Sequence, residues 1–288
     1  MQLKIKTPAK INLTLEVLNK REDGYHNIQS IMQMINLYDY LTISVEDSDE
    51  ELITLSGTSD EIPYNEKNLV YKATKIFLDK TNIHNKHIDI YIEKNIPISA
   101  GLAGGSTNAA GTIYGLNKLF NNILSKPEMH ELCAKLGSDL NVCLEGGCLL
   151  ATGRGEKIEK LPTREFPVSL IKPKELGISA KEAYTKFSQL KQKPDLDMTF
   201  KMIDSIKIGT DVRQFLHNDL EVAVFDDYKE LQEIKSVIPQ AIMSGSGSTY
   251  FAIADNIPTI SDKYWVKSGL KSISTGVELC EVKDVVFN

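Results

Sequence analysis

The stretch Pro97-Ile98-Ser99-Ala100-Gly101-Leu102-Ala103-Gly104-Gly105-Ser106-Thr107 is the part of this 288-residue sequence whose residue types most plainly suit a chemical task. Its small side chains let the backbone approach a ligand closely. An apolar pattern with helical spacing follows at Ala109, Ala110, Ile113, Leu116, Leu119 and Phe120, so the loop runs into the first turn of a helix. The unpaired N–H groups of such a turn and the positive end of the helix dipole favour an anion, and a phosphate fits. The loop is neither the G-x-G-x-x-G dinucleotide fingerprint nor a Walker A loop, because no Gly-Lys-Ser/Thr follows. Taken alone it also reads as a tight strand-to-helix turn with Ser106 or Thr107 near the N-cap. A second cluster, Ser244-Gly245-Ser246-Gly247-Ser248, reads as a hairpin loop by itself and as a second wall of the same site beside the first.

Both loops need a scaffold. Residues 11–17 alternate apolar and polar without a break, which predicts a half-buried strand with Lys10, Asn12, Thr14 and Glu16 on one face. Further period-two runs occupy residues 40–45, 52–55 and 88–93, with a turn signal at Asp23-Gly24. An apolar stretch at 144–151, broken by Gly146-Gly147, leads into an exposed turn at 152–156. A boundary falls between 155 and 168, dividing residues 1–160 from 161–288. In the second half, helices are expected at 180–190 and about 226–237, a charged, proline-interrupted segment at 191–197, and short strands at 241–243 and 249–254. Helices and strands mix without βαβ alternation, so the expected fold class is α+β.

A net charge of −6 excludes the basic footprint of a nucleic-acid-binding domain. The four cysteines, Cys133, Cys143, Cys148 and Cys280, have neither C-x-x-C spacing nor the density of a secreted scaffold, which points to a reduced, cytoplasmic compartment. No apolar run is long enough to cross a bilayer, and the first residues alternate like a strand instead of forming a leader.

Three separated motifs, Pro8-Ala9-Lys10-Ile11-Asn12-Leu13, the loop at 97–107 and Met243-Ser244-Gly245-Ser246-Gly247-Ser248, occur in the order seen in the GHMP kinase superfamily, which this chain resembles over nearly its whole length. Arg21-Glu22-Asp23-Gly24-Tyr25-His26, Gly137-Ser138-Asp139, Gly153-Arg154-Gly155-Glu156 and Asn218-Asp219-Leu220-Glu221 carry a narrower similarity. It is to the kinases that phosphorylate the 2-hydroxyl of 4-diphosphocytidyl-2-C-methyl-D-erythritol in non-mevalonate isoprenoid precursor biosynthesis. The resemblance implies a two-domain GHMP kinase fold, with an N-terminal domain like domain 2 of ribosomal protein S5 and a C-terminal ferredoxin-like domain. ATP and substrate would lie in the cleft between them. It also implies ATP and Mg²⁺ as cofactors, a small-molecule cytidyl substrate as partner, and a monomer or weak homodimer.

By that resemblance Asp139 is the general base and Lys10 the cation that holds the hydroxyl and steadies transition-state charge. Outside that context a lone lysine on a strand's polar face reads as solvated, and an aspartate after Gly137 as an N-cap or turn residue. The resemblance makes Tyr25 and Tyr184 the stacking residues of a cytosine pocket, His26 a hydrogen-bonding partner of the base, and Asn12 a neighbour of Lys10. It sets Asn68 near the adenine and the 97–107 loop on the phosphates. Ser106 and Thr107 are candidates for the metal without a supporting carboxylate motif, so no metal ligand is assigned. Four departures stand out: Ala103 where the common form has glycine, a methyl that fits where φ is negative; Thr107 where a second serine is usual; Leu140-Asn141-Val142 where Val-Pro-Phe is usual; and Ala180 where a hydroxyl residue often approaches the cytosine. Two alternatives remain open. One is another kinase of the superfamily, of mevalonate or homoserine type, which has no cytosine to justify Asp23-Gly24-Tyr25-His26. The other is a non-catalytic nucleotide-binding relative, against which stand Lys10 and Asp139.

Overall fold

A computed structural model describes residues 1–190 and 197–280. Of the charged segment expected at 191–197, all but Asp197 lies outside the described residues. Strands β1 (Gln2–Lys20) and β2 (His26–Asp47) form a long antiparallel pair closed by the Asp23-Gly24 turn. Next come β3 (Leu52–Gly57), α1 (Leu69–Thr81), β4 (Lys86–Glu93), α2 (Gly104–Leu119), α3 (Lys126–Leu136), α4 (Leu140–Glu145), β5 (Cys148–Gly153) and β6 (Lys157–Leu161). The chain continues through β7 (Pro167–Pro173), α5 (Ala180–Gln189), α6 (Met198–Ile208), β8 (His217–Asn218), α7 (Asp219–Val224), α8 (Lys229–Val237), β9 (Ile242–Met243), β10 (Tyr250–Ala252), β11 (Tyr264–Lys271) and β12 (Glu278–Leu279).

Among the described residues the strands form two sheets. The larger runs β12-β1-β2-β4-β3, with β5 and β6 continuing from β2 and β8 parallel to β1; the smaller runs β11-β7-β10-β9. This is the mixed α+β architecture expected. The chain after residue 161 does not stay apart from the first sheet, because β8 and β12 both pair with β1. The turn expected to be exposed at 152–156 is half-buried, with Gly155 fully inside. Helix α2 lies unusually close to the first sheet: a Cβ on Gly111 would stand 2.4 Å from Thr7 Cγ2, and one on Gly115 2.6 Å from Ile43 Cδ1. Two glycines a helical turn apart therefore set the depth at which α2 is seated.

Strand β1 corrects the expectation of one polar face. It is buried along residues 7–17, so Lys10, Asn12, Thr14 and Glu16 are all out of solvent. Register shifts interrupt its pairing with β2 between Pro8 and Ala9 and again between Asn12 and Thr14. Each shift exchanges the faces: Leu3 and Ile5 belong to the larger core, Ala9, Ile11 and Leu13 to the smaller one, and Leu15 and Val17 to the larger again. Lys10 and Asn12 thus share a side with Leu15. Thr14 and Glu16 point the other way, where Thr14 Oγ1 accepts from Thr199 Oγ1 at 2.9 Å and Glu16 Oε1 accepts from Met198 N at 2.7 Å.

Candidate active site

The glycine-rich loop ends at a helix that begins earlier than the hydroxyl residues suggest. The N-cap of α2 is Ala103, not Ser106 or Thr107. Ala103 has φ 59° and ψ 28°, so the alanine occupies a left-handed position after all, at a cost of about 1–2 kcal/mol that a glycine would avoid. The first turn, Gly104 to Thr107, leaves backbone N–H groups of Gly104, Gly105 and Ser106 free of intrahelical partners. Residues Pro97 to Ser106 line a cavity of about 280 Å³ together with Asn68. Thr107 does not: it is fully buried, its backbone N–H bonds Ala103 O at 2.8 Å, and it faces neither cavity. Asn68 reaches the cavity, but its amide is committed locally. Its Oδ1 accepts from Val70 N at 2.9 Å, capping α1, and its Nδ2 donates to Pro63 O at 2.7 Å.

The two small-residue clusters meet. Gly101 has φ +72°, and a Cβ there would stand 2.0 Å from the Ser244 carbonyl oxygen. Ser244 Oγ donates to Gly101 O at 3.0 Å. The 244–248 segment thus connects β9 to β10 as a hairpin and is also the second wall of the site.

Between the clusters lies Lys10. It is only 3% exposed, and its Nζ donates to Gly101 O at 2.9 Å and to Asn12 Oδ1 at 2.7 Å, with Asp139 Oδ2 at 3.5 Å. Asp139 occupies the N-cap position of α4, yet its side chain makes no capping hydrogen bond. The ordinary reading as an N-cap aspartate therefore fails, and its carboxylate is turned toward the ammonium instead. Asn12 is itself fixed, donating through Nδ2 to Ser30 Oγ at 2.8 Å, which donates to Thr14 O at 2.5 Å.

Lys10, Asn12 and Asp139 line a cleft of about 990 Å³ that shares Gly101, Ala103 and Ser106 with the smaller cavity. Tyr25, His26 and Tyr184 line the same cleft. Tyr184 stacks on His26, with centroids 5.2 Å apart and planes 16° from parallel. His26 Nε2 lies 3.0 Å from Ser188 Oγ. Burial raises the Tyr184 hydroxyl well above the usual tyrosine range, so it stays neutral. The Tyr25 ring, 55% exposed, carries the Arg154 guanidinium 5.0 Å above its centroid. Ala180 also lines this cleft.

Several contributors carried no role in the sequence reading although their motifs stood out. Arg154 adds a cation to the cleft, and Glu156 Oε2 shapes its turn by accepting from Arg154 N at 2.7 Å. Asn218 and Glu221 support the second loop from behind: Asn218 Nδ2 donates to Met243 O at 2.6 Å and Gly245 O at 2.8 Å, and Glu221 Oε2 accepts from Met243 N at 2.9 Å. Ser30 left no local signal, because only the pairing of β2 with β1 brings it to Asn12.

A helix start with free N–H groups set against a buried lysine and a carboxylate suits the transfer of a phosphoryl group to a hydroxyl, and the comparisons agree on the class. The pattern of the GHMP kinases N terminal domain matches residues 68–147. The fold recurs in a homoserine kinase from Cytophaga hutchinsonii, at a TM-score of 0.75 and 15% identity over 97% of each chain. The chain is an ATP-dependent small-molecule kinase of the GHMP type. It is 39% identical to the 4-diphosphocytidyl-2-C-methyl-D-erythritol kinase of Caldanaerobacter subterraneus subsp. tengcongensis over 97% of this chain and 100% of that one. It is 38% identical to that of Clostridioides difficile, covering 96% and 98%. A crystal structure of 4-(cytidine 5'-diphospho)-2C-methyl-D-erythritol kinase superposes with a TM-score of 0.73 at 27% identity, covering 94% of this chain and 99% of that one. The chain belongs to the 4-diphosphocytidyl-2-C-methyl-D-erythritol kinase family.

Proposed function

We propose that this chain transfers the γ-phosphoryl group of ATP to the 2-hydroxyl of 4-diphosphocytidyl-2-C-methyl-D-erythritol, in isoprenoid precursor biosynthesis by the non-mevalonate route in the cytosol. The observation that carries the reading is the Lys10–Asp139 pair, 3.5 Å apart, on the wall where the phosphate cavity opens into the larger cleft. Triphosphate lies against the first turn of α2 and the 97–106 loop, with residues 1–160 supplying most of this site and 161–288 the second wall. The acceptor hydroxyl sits between Lys10 Nζ and Asp139. Asp139 takes its proton as the oxygen attacks the γ-phosphorus; the new O–P bond forms while the bond to the β-phosphate oxygen breaks, and ADP leaves. Lys10 steadies the charge on the transferring group.

Mg²⁺ would neutralise phosphate charge. Such an ion would be held chiefly by phosphates and water, and Ser106, facing both cavities, is the protein hydroxyl that would reach it. In the same cleft, His26 and Tyr184 offer stacked rings for the cytosine. Arg154 above Tyr25 supplies charge for the substrate's diphosphate. The two-domain description expected from the resemblance, S5-like then ferredoxin-like, is part of the same proposal.

The test is ADP release from Mg·ATP by the purified protein with 4-diphosphocytidyl-2-C-methyl-D-erythritol, mevalonate, homoserine or no acceptor. Release that depends on the cytidyl compound is expected. Release with another acceptor alone would remove the substrate assignment, and release with none would remove the reaction.

A further inference from the structure

Asn218 is 3% exposed and does not line the cleft, yet its side chain connects three elements of the site. It lies on β8, whose parallel pairing sets Asn218 beside Leu15 of β1, the strand that carries Lys10. Its Oδ1 caps α7 by accepting from Leu220 N at 2.9 Å and Glu221 N at 3.4 Å. Its Nδ2 donates to Met243 O and Gly245 O, so the full donor and acceptor capacity of one primary amide is used in a fixed direction.

The loop held in this way touches the reacting end of the cleft. Ser244 Oγ and Lys10 Nζ donate to the same Gly101 carbonyl, at 3.0 and 2.9 Å. A Cβ on Gly245 would stand 3.2 Å from Lys10 Nζ and 3.0 Å from Gly101 O, so the two glycine loops and the lysine have no slack between them. A small displacement of Gly245 is passed directly to the ammonium.

We propose that Asn218 is a positioning residue for phosphoryl transfer, whose amide fixes the 244–248 loop against Gly101 and thereby sets the place of Lys10. The inference rests on the reaction proposed above. Asn218→Asp isolates the amide donors, since it keeps the shape and the capping oxygen while turning a carboxylate toward the Met243 and Gly245 carbonyls. Burial beside two carbonyl oxygens raises the pKa of the introduced carboxyl, and its protonated form donates one hydrogen bond.

At 25 °C and pH 8 the variant is expected to keep the parent's far-UV circular dichroism while kcat falls about tenfold or more, the size of effect that loss of a preorganised contact gives. Burial would lower the His217 imidazole, but its hydrogen bond to Asp219 outweighs that and raises it, and burial raises the Glu221 carboxyl; both groups flank residue 218 in parent and variant alike, so the quantity read is the deficit relative to the parent at each pH, which should shrink from pH 8 to pH 6. Compared with the parent at the same pH, hydrogen exchange should be faster in residues 241–249 at pH 8 and return toward the parent's rate at pH 6, while α2 matches the parent at both. A variant whose kcat stays within twofold of the parent throughout, or whose deficit is the same at pH 6 and 8, would overturn the proposal. The exchange experiment needs no acceptor. Silence of the parent with the cytidyl substrate would therefore count against the reaction, while exchange still decides whether Asn218 holds the loop. Where Asn218→Asp does not fold, Asn218→Ser, which keeps a capping oxygen but is too short to reach Gly245, replaces it with the same exchange readout and an unrecovered kcat.

Discussion

The pair that defines the site also gives its sharpest test, a double-mutant cycle on Lys10→Met and Asp139→Asn. At 3.5 Å the two charges attract by about 5 kcal/mol if the effective dielectric constant is ~20. Desolvation of the buried ammonium opposes most of that, and Asp139, 27% exposed at its side chain, is partly screened. Lys10 retains Asn12 Oδ1 and Gly101 O when Asp139 is neutralised. The stability loss expected for Asp139→Asn is therefore about 1–2 kcal/mol, read as a shift in urea midpoint at constant slope. The effect on turnover is far larger. Removing a general base lowers kcat by about 10²–10⁴, and removing a preorganised cation by about 10²–10³. With both acting on one hydroxyl, as proposed, the double variant should be no more than about tenfold worse than the worse single variant. The assay is ADP release at saturating Mg·ATP and acceptor, with circular dichroism as the control for folding. Asp139→Asn retaining more than a tenth of the parent's kcat, or losses that multiply in full in the double variant, would refute the assignment.

Three other perturbations address separate parts of the structure. Gly101→Ala forces a methyl to within 2.0 Å of the Ser244 carbonyl at a φ of +72°, so the two loops must part; kcat/KM should fall by about 10² or more, and activity like the parent's would show that the loops need not touch. Tyr184→Ala removes the partner of the His26 ring and should raise KM for the cytidyl acceptor about tenfold to a hundredfold with kcat little changed; an unaltered KM would separate this stack from base binding. Burial alone would raise the Glu145 carboxyl, but hydrogen bonds from Lys126 and Lys160, with His130 beside them, outweigh it and hold the pKa at about 2. A depressed folded pKa contributes stability at neutral pH that is lost as pH falls from about 4.5 toward 2. Urea midpoints of the parent and Glu145→Gln should therefore converge across that window, and parallel curves would contradict it.

Much of the site was legible because it depends on backbone approach, which small residues advertise in any context. The glycine-rich loop and the helix after it follow from small residues and apolar spacing, while the second cluster, a hairpin by itself, is shown to be a second wall only by its contact with Gly101. What escaped the sequence was buried on both sides or interrupted. Strand β7, Pro167–Pro173, is enclosed almost throughout and so lacks alternation; β11 is broken by a register shift between Lys267 and Leu270. Helix α6 buries Thr199, Met202 and Ile206 at helical spacing, but exposed Phe200 and Ile208 blur the stripe. The face exchange in β1 was invisible because odd positions from Ile11 to Val17 are apolar on either side of the bulge: both faces meet a core, so the pattern records burial without recording which core.

The departure after Asp139 is accommodated by the same logic of buried polar groups. Where the family usually has Val-Pro-Phe, Asn141 donates through Nδ2 to Glu156 O at 2.8 Å, and its Oδ1 lies 3.1 Å from His130 Nδ1. His130 Nε2 continues to Glu145 at 3.1 Å, at the end of α4. Glu156 in turn fixes the backbone of Arg154, whose guanidinium covers Tyr25, and the Gly155 turn packs so closely that a Cβ would lie 3.2 Å from Ser138 Cβ. The short helix that presents Asp139 is thus fastened to α3 and to the Arg154 turn by hydrogen bonds in place of a ring's restricted φ and an aromatic contact. Asp139 stays turned toward Lys10, and Asn141 ties the helix that presents it to the turn that carries Arg154.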